Sequence, residues 1–179
     1  ITGYKPTARR VPIDGVLPLA PSLDSVGPLA PTVACCAAID AILAGAEPGA
    51  PMAMALNGLR FAVPKNMVLE GMDATVSTAF DRVLSVLSAA GVRITRIQCP
   101  EFDEMPTVNA KGGFAASEAH AWHRSLLATR GNGYDPRIRA RISRGDGMSA
   151  ADYLDLLAAR ARIIASFNAR TAAFDCVLM

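Results

Sequence analysis

The stretch GLRFAVPKNMVLEGMDATVSTAFDRVLSVLSAAGVRITRI, residues 58–97, decides the fold class of this chain. Its first part, 58–66, is a short apolar run ended by a proline, which predicts a buried strand. A helix should follow from the N-cap Asp73, because apolar residues then recur along one helical face: Val76, Phe80, Val83, Leu84 and Leu87. Gly91 ends this helix, and 92–97 is predicted to be the next strand. Strand, helix and strand together predict a parallel βαβ unit with a right-handed crossover, and therefore an α/β fold.

The N-terminal part of the chain is rich in proline and glycine and then becomes a helix of small residues. Residues 1–28 show no helical period, so they form either a strand end with a long ordered loop or a disordered segment. From the N-cap Thr32 to Gly45 we expect a helix that is buried on most of its faces. Asp40 within it then either has a partner or marks its one solvated side.

The C-terminal half is predicted to be mainly helical. Residues 99–112 are predicted to be a loop, and helices should begin at Gly113 and after a capping box in 149–152. Residues 137–144 are predicted to be either a short basic helix or a turn. The last helix is long, and its expected apolar stripe consists of Leu154, Leu157, Ala161, Ile164 and Phe167. The final residues, 174–179, are predicted to form a buried strand.

Composition and charge exclude several classes of protein. The chain has 179 residues, of which 51% are hydrophobic and 19% are charged, as in a globular domain. With 18 basic against 16 acidic side chains the net charge is +2, which favours neither a nucleic-acid partner nor a membrane surface. The longest nearly uncharged run, 25–46, contains two early prolines and leaves too short a helix to span a bilayer.

The four cysteines include no CxxC pair: Cys35, Cys36, Cys99 and Cys176. Without such a pair, neither a zinc ribbon nor a dithiol redox motif is predicted. No signal-like segment is recognised, so reduced thiols and a cytoplasmic location are expected.

Residue chemistry by itself supplies no complete catalytic site. His120 and His123 lie three residues apart on one helix, but Glu118 lies off the line that joins them. No metal site is therefore predicted, and a packed or solvent-facing pair is favoured. Ser22 and Ser25 lack the GxSxG surroundings of a nucleophile elbow.

Two further polar features have ordinary structural explanations. Asp24 stands where a turn would use a carboxylate to bind the backbone. Arg137, Arg141 and Arg144 share one helical face, which favours a solvated face paired with nearby carboxylates over the steering of an anionic substrate.

The segment 3–33, GYKPTARRVPIDGVLPLAPSLDSVGPLAPTV, resembles the amidase signature family. The family pattern is G-x-K-P-T, a basic turn, and a Gly/Pro-rich loop that leads into S-L-D-x-x-G-P-x-A-x-T-V and a helix. The matching residues are Gly3, Lys5, Pro6, Thr7, Ser22, Leu23, Asp24, Gly27, Pro28, Ala30, Thr32 and Val33. The resemblance continues in the same order through the strand–helix–strand of 58–97, the helical segments after it, and the final FDCVLM.

The resemblance implies a fold and a place within it. The fold would be the amidase-signature α/β fold, a mixed sheet flanked by helices, with a helical insertion over about 105–172. Residues 1–179 would be the central to C-terminal-middle part of a single, longer domain. In this family the nucleophilic serine lies in a Gly-Gly-Ser stretch just before G-x-K-P-T, and a serine with a cis peptide bond and a lysine lie further upstream. No catalytic residue is therefore expected in this chain, and the chain alone is predicted to be inactive.

The implied activity is hydrolysis of a carboxylic amide to an acid and ammonia or an amine through an acyl-enzyme, without metal or cofactor. The A subunit of a glutamyl/aspartyl-tRNA amidotransferase and a non-catalytic relative are the alternatives. Amidotransferase subunits typically carry Asn-Leu-Ala-Arg-Tyr-Asp after the Ser-Glu of this helix, whereas AHAWHRSLL follows Ser117-Glu118 here, which favours a stand-alone amidase. The implied partner is a small-molecule amide, without nucleic acid or membrane, and a homodimer stays open.

Three residues are candidates for lining the substrate pocket: Ser22, Trp122 and His123. For each of them a purely structural role is the alternative. The chain also departs from the family pattern, since Arg9 stands where glycine is frequent and Cys35 where aspartate is frequent. Pro31 likewise replaces a frequent arginine. The change at Cys35 removes a charge near the start of a helix and puts a local polar contact in doubt.

Overall fold

The chain is described from a computed structural model that covers residues 1–179. It contains five strands and seven α-helices, with 3-10 turns on either side of the sixth helix. In chain order the elements are β1 (Thr2–Gly3), β2 (Leu29–Ala30), α1 (Val33–Leu43), β3 (Arg60–Pro64), α2 (Ala74–Ala89), β4 (Arg93–Ile97), α3 (Pro100–Asp103), α4 (Met105–Val108), α5 (Gly113–Arg130), α6 (Pro136–Ser143), α7 (Ala150–Thr171) and β5 (Cys176–Val177).

Two compact units make up the chain. The first consists of 1–53 and 111–153, and the second of 54–110 and 154–179. Both strand orientations are present, but in separate small sheets: β1 and β2 are antiparallel in the first unit, and β4, β3 and β5 are parallel in the second. No helix is both long enough and apolar enough to cross a membrane. The assignment of 1–179 to a single domain stays a prediction.

The predicted βαβ unit is confirmed. Strands β3 and β4 pair in parallel, with Phe61 opposite Ile94, and α2 connects them. The carboxylate of Asp73 accepts the backbone N–H of Thr75 at 2.8 Å and so caps α2 as expected. Strand β3 lies in the middle of its sheet, and its residue Val63 is fully buried. The strand–helix–strand prediction for 58–97 therefore placed the centre of the second unit correctly.

The last strand is present but shorter than predicted, because only Cys176 and Val177 pair with β3. Asp175, just before β5, binds Arg60, the first residue of β3. Its carboxylate accepts the backbone N–H of Arg60 at 2.8 Å and the guanidinium of the same residue at 3.0 Å. The residues after Val177 carry a single further backbone bond, from the Leu178 N–H to the Ala62 carbonyl.

Of the two alternatives for residues 1–28, the structure has the strand end with an ordered loop. Strand β1 pairs with β2, so the two ends of the loop lie side by side. Thr32 caps α1 by accepting the N–H of Cys35 at 3.1 Å. Gly45 follows α1 with a φ of 69°, a left-handed conformation that suits glycine.

The expectation that α1 is buried on most faces is wrong. Its buried residues are Cys36, Asp40 and Ala41, whereas Ile39 and Ile42 are exposed. Small residues all around a helix permit close packing but do not require it. The question about Asp40 is settled in favour of a partner, since Arg10 Nε donates to its carboxylate at 2.8 Å. The thiol of Cys35, in contrast, faces solvent, because this residue is exposed.

The loop predicted over 99–112 is also wrong in part, because the short helices α3 and α4 lie within it. The prolines of this segment are compatible with helix. Pro100 and Pro106 stand in the first turns of these helices, where a missing N–H costs nothing and the fixed φ is already helical.

The capping box at the start of α7 is confirmed, but within residues 1–179 the apolar stripe of this helix is wrong for every member except Phe167. Ser149 N–H donates to Asp152 at 2.9 Å, and Asp152 N–H donates to the Ser149 hydroxyl at 3.1 Å. Leu154, Leu157, Ala161 and Ile164 are nevertheless exposed or only partly covered, and Leu156 is the buried residue.

Two ion pairs and an aromatic stack mark the face of α7 that packs within the second unit. Arg162 pairs with Glu104 at 2.6 Å, and Arg170 binds the buried carboxylate of Glu101 at 3.0 Å. Phe167 stacks on Phe102 between these two pairs. The face of α7 that carries these contacts is therefore turned inward, away from the predicted leucine stripe.

Candidate functional site

The segment 19–24 forms a tight turn in the first unit. The Asp24 carboxylate accepts the N–H of Leu19 at 3.0 Å and that of Ala20 at 3.1 Å, and the Asp24 N–H returns to the Ala20 carbonyl at 2.8 Å. The predicted turn role of Asp24 is confirmed, although its side chain reaches back along the chain rather than forward. We call residues 19–24 the Ser22 turn.

Glu118 connects the Ser22 turn to two helices. Its Oε2 accepts the backbone N–H of Ser22 at 2.9 Å, and its Oε1 accepts the hydroxyl of Tyr153 at 2.8 Å. Tyr153 lies in the first turn of α7, and its ring meets Phe114 of α5 edge-on at 5.7 Å. The two oxygens of the Glu118 carboxylate thus accept hydrogen bonds from two different segments, the Ser22 turn and α7.

The hydroxyl of Ser22 has no hydrogen-bond partner although its oxygen is buried. A buried hydroxyl without a partner costs about 1–3 kcal/mol, so this group is an exception among buried polar groups, most of which are paired.

A cleft of about 430 Å³ lies beside this carboxylate, between α5 and the start of α7. Ser117, Glu118, His120 and Arg124 of α5 line one side of it, and Tyr153 lies on the other. Its size falls within the range of small-molecule sites, and polar groups converge in it. The cleft is therefore the candidate functional site of the first unit.

Gly145, at the edge of the cleft, packs directly against α5. A Cβ at this position would lie 2.2 Å from the carbonyl oxygen of Ala116 and 2.7 Å from the Cβ of His120. Only glycine lets the 3-10 turn Arg144–Gly147 approach α5 so closely.

The two histidines have separate partners. His120 lines the cleft, with its Nε2 3.6 Å from Asp146, whereas the Nδ1 of His123 lies 2.7 Å from the Tyr134 hydroxyl. No three His, Cys, Asp or Glu side chains in residues 1–179 are grouped as metal ligands would be. Trp122 is 43% exposed and contacts the ring of His123 edge-on.

None of the three predicted lining residues, Ser22, Trp122 and His123, is among the residues that line this cleft. Ser22 is joined to it only indirectly, because its backbone N–H donates to Glu118. The roles of all three in a pocket stay predictions. Sequence reasoning missed Glu118 and Tyr153 as a pair, because they are 35 residues apart and no motif links them.

The arginines of α6 make local contacts. Arg137 pairs with Asp135 at 3.0 Å on a strongly exposed surface, which agrees with a solvated face. Arg139 donates to Asn132 at 3.4 Å and borders a second depression of about 380 Å³ with Tyr134.

One carboxylate near the cleft is held strongly ionised. The hydrogen bond from Lys111, with the further bonds from Ser149, lowers the pKa of Asp152 to about 2. The capping box that begins α7 is therefore charged at neutral pH.

Comparison with known proteins gives consistent matches. A family model described as "Amidase" matches residues 1–179. A 2-amino-5-chloromuconic acid deaminase from Comamonas testosteroni is 32% identical over 154 residues, which is 85% of this chain and 33% of that protein. The A subunit of a glutamyl-tRNA(Gln) amidotransferase from Roseiflexus castenholzii is 29% identical over 191 residues, which is 90% of this chain and 39% of that protein.

A solved crystal structure of an amidase superposes with a TM-score of 0.86 at 26% identity, and the match covers 99% of this chain and 39% of that one. The chain therefore spans between a third and two fifths of the length of the proteins that it matches.

Proposed function

Because this chain belongs to the amidase family and has the amidase-signature fold, we propose that the protein hydrolyses a carboxylic amide to an acid and ammonia or an amine. The observation that carries this proposal is the family match over the whole of residues 1–179. The proposed reaction passes through an acyl-enzyme formed on a serine, with a second serine and a lysine to move the proton.

We place these reacting groups outside residues 1–179. Within the chain, the ammonium group of Lys5 donates to the carbonyl of Pro6 at 2.9 Å, and that of Lys111 pairs with Asp152 at 2.6 Å. None of the three lysines, Lys5, Lys65 and Lys111, has a side-chain hydrogen bond to a serine, as a serine–lysine catalytic pair would require. The proposed contribution of this chain is the wall of the substrate site and its support.

An ammonia-release assay tests the proposal. The intact protein is incubated with a panel of simple amides, without tRNA and without a partner protein, and ammonia is measured. 2-Amino-5-chloromuconic acid, which the name of the 32%-identical relative suggests, is tested separately, because it carries an amino group and no carboxamide. Release from that compound alone would indicate deamination and would not support amide hydrolysis. We expect release from at least one simple amide, and none from residues 1–179 alone. No release from any of them by the intact protein would reject the proposal.

An A subunit of a tRNA-dependent amidotransferase is the second candidate. The 29%-identical relative favours it. The sequence after Ser117-Glu118 speaks against it, since AHAWHRSLL replaces the Asn-Leu-Ala-Arg-Tyr-Asp expected there. Ammonia release that appears only with a partner protein, with glutamine as the donor, would favour the amidotransferase.

Chemical labelling of the catalytic serine would distinguish an active amidase from a non-catalytic relative. A fluorophosphonate that reacts with activated serines should label an active amidase and leave a degenerate relative unlabelled. The proposed partner is a small-molecule amide, and light scattering of the intact protein would test for a homodimer.

A further inference from the structure

We propose that Arg139 of α6 is the centre of a binding site for the carboxylate or phosphate group of a small organic anion. Two adjoining depressions of the first unit, of about 380 and 290 Å³, share Gly131, Asn132 and Arg139 as lining residues. We call these two depressions the Arg139 site. The inference goes beyond the proposed function and does not depend on it, because binding is measured without turnover.

The guanidinium of Arg139 has no acidic partner within residues 1–179. Its Nη1 donates to Oδ1 of Asn132 at 3.4 Å, which is a long bond to a neutral amide. Arg137, two residues away, is in contrast paired with Asp135 at 3.0 Å. No aspartate or glutamate lines either depression of the Arg139 site. Because Arg139 is also exposed, its charge is not neutralised and can be reached from solvent.

Gly131 leaves the space that this guanidinium occupies. A Cβ at position 131 would lie 3.3 Å from Cζ, 3.5 Å from Nη2 and 3.6 Å from Nε of Arg139. The backbone itself does not require glycine there, since a φ of −56° and a ψ of −27° are helical angles that any residue adopts. The contact with Gly131 and the bond to Asn132 hold the guanidinium before a ligand arrives, which lowers the entropy lost on binding.

The surrounding charge favours an anion. Residues 120–148 contain six arginines and two aspartates, a net charge of +4, whereas the whole chain has a net charge of +2. Arg130 lines the second depression together with Arg139. Positive charge at a concave surface attracts anions, and the planar guanidinium can bind two oxygens of a carboxylate or phosphate at once.

The first depression has room for more than the charged group of a ligand. Its volume of about 380 Å³ lies within the range of small-molecule sites, and Pro136, Ala140 and Tyr134 give it carbon surface beside Arg139. The hydroxyl of Tyr134 lies 2.7 Å from Nδ1 of His123, so the tyrosine ring is fixed in place. The expected ligand is therefore an organic anion with a small apolar body.

Titration calorimetry of the intact protein with benzoate and with phenyl phosphate tests the site, at an ionic strength held constant with sodium chloride. We expect saturable binding of at least one of the two, and an affinity about tenfold lower in Arg139→Gln, because hydrogen bonds from a charged donor are lost. Tighter binding of benzoate would assign the site to carboxylates, and tighter binding of phenyl phosphate to phosphates.

Arg137→Gln is the matched control. It removes the same charge from the same helix, but Arg137 is paired with Asp135 and lines neither depression. Its affinity should change by less than about twofold, since exposed charges are screened by salt. An equal loss in both arginine variants would show only a general attraction to a basic surface and would overturn the inference. So would the absence of saturable binding below about 10 mM, or binding that is unchanged in Arg139→Gln and therefore belongs to another site.

Substitutions at Gly131 test whether the guanidinium is held in place. Gly131→Ala needs only a small shift of Arg139, so the affinity should fall by less than about threefold, and the unfolding midpoint should stay or rise because alanine suits helical angles. Gly131→Met fills the space of the guanidinium and should lower the affinity by about tenfold. Equal affinities of the methionine variant and the unmodified protein would overturn the role of Gly131. The two arginine variants decide the proposal even where the methionine variant does not fold.

Discussion

The side-chain amide of Asn66 forms hydrogen bonds with both the backbone N–H and the backbone carbonyl of Cys99. Asn66 Nδ2 donates to the Cys99 carbonyl at 2.8 Å, and Asn66 Oδ1 accepts the Cys99 N–H at 3.0 Å. The same Nδ2 donates to a carboxylate oxygen of Asp103 at 2.7 Å. Asn66 and Cys99 are both buried and follow the neighbouring parallel strands β3 and β4. One amide thus joins the segments beyond the ends of these two strands.

Replacement of Asn66 should therefore destabilise the second unit. Asn66→Ala leaves the Cys99 N–H and carbonyl without partners in a buried place, which should cost about 1–3 kcal/mol. Asn66→Asp should cost more, since its second oxygen would face the Cys99 carbonyl and the Asp103 carboxylate. Urea unfolding of the intact protein measures both. An aspartate variant more stable than the alanine variant at neutral pH would contradict this account.

Acid should weaken the contact between α3 and α7. The hydrogen bond from Arg170, assisted by that from Ser166, lowers the pKa of Glu101 from 4.5 to about 2. Because the folded-state pKa is depressed, this carboxylate stabilises the fold above about pH 4.5, and the stabilisation is lost as the pH falls from there toward 2.

Unfolding midpoints between pH 6 and pH 2 check this, with Arg170→Met as the comparison. The unmodified protein should lose more stability over that range than the variant, whose Glu101 has lost its main partner. Parallel pH curves for the two proteins would show that Glu101 does not contribute in this way.

Arg9 should be replaceable by glycine with a gain in stability. Its φ is 70°, in the left-handed region that a Cβ disfavours. Removal of the Cβ relieves about 1–2 kcal/mol, of which the added freedom of unfolded glycine cancels about 0.5–1, so the net gain should be at most about 1.5 kcal/mol. Arg9→Ala is the control, because it removes the charge but keeps the Cβ. Equal stability of the alanine and glycine variants would argue against strain at this position.

Gly145→Ala should disturb the cleft of the first unit. The added Cβ would meet backbone atoms of Ala116 at 2.2 and 2.6 Å, which cannot move aside as a flexible side chain could. We expect a loss of about 1–3 kcal/mol in the free energy of unfolding and weaker binding in the cleft.

Gly147→Ala is the matched control, since a Cβ there has nothing within 4 Å. It should change the stability by less than about 0.5 kcal/mol. If both glycine variants behaved alike, the close approach of the turn to α5 would not be the reason for glycine at 145.

The local features of this fold could be predicted from the sequence. Thr32, Asp73 and Ser149 cap helices as expected, and the strand–helix–strand of 58–97 forms the parallel pair. These signals act over a few residues: a cap bonds the next turn, and a period of apolar residues is read along one element. The family resemblance carried the rest of the fold assignment.

Tertiary structure decided which face of each helix is buried and which distant polar groups meet. Within residues 1–179 the leucine stripe of α7 is exposed, and the face that carries Leu156, Phe167 and Arg170 packs inward. The contact of Ser22 with Glu118 likewise has no local signal. A hydrogen bond between residues 96 positions apart depends on how elements pack, and packing depends on all the side chains at once, so no short pattern encodes it.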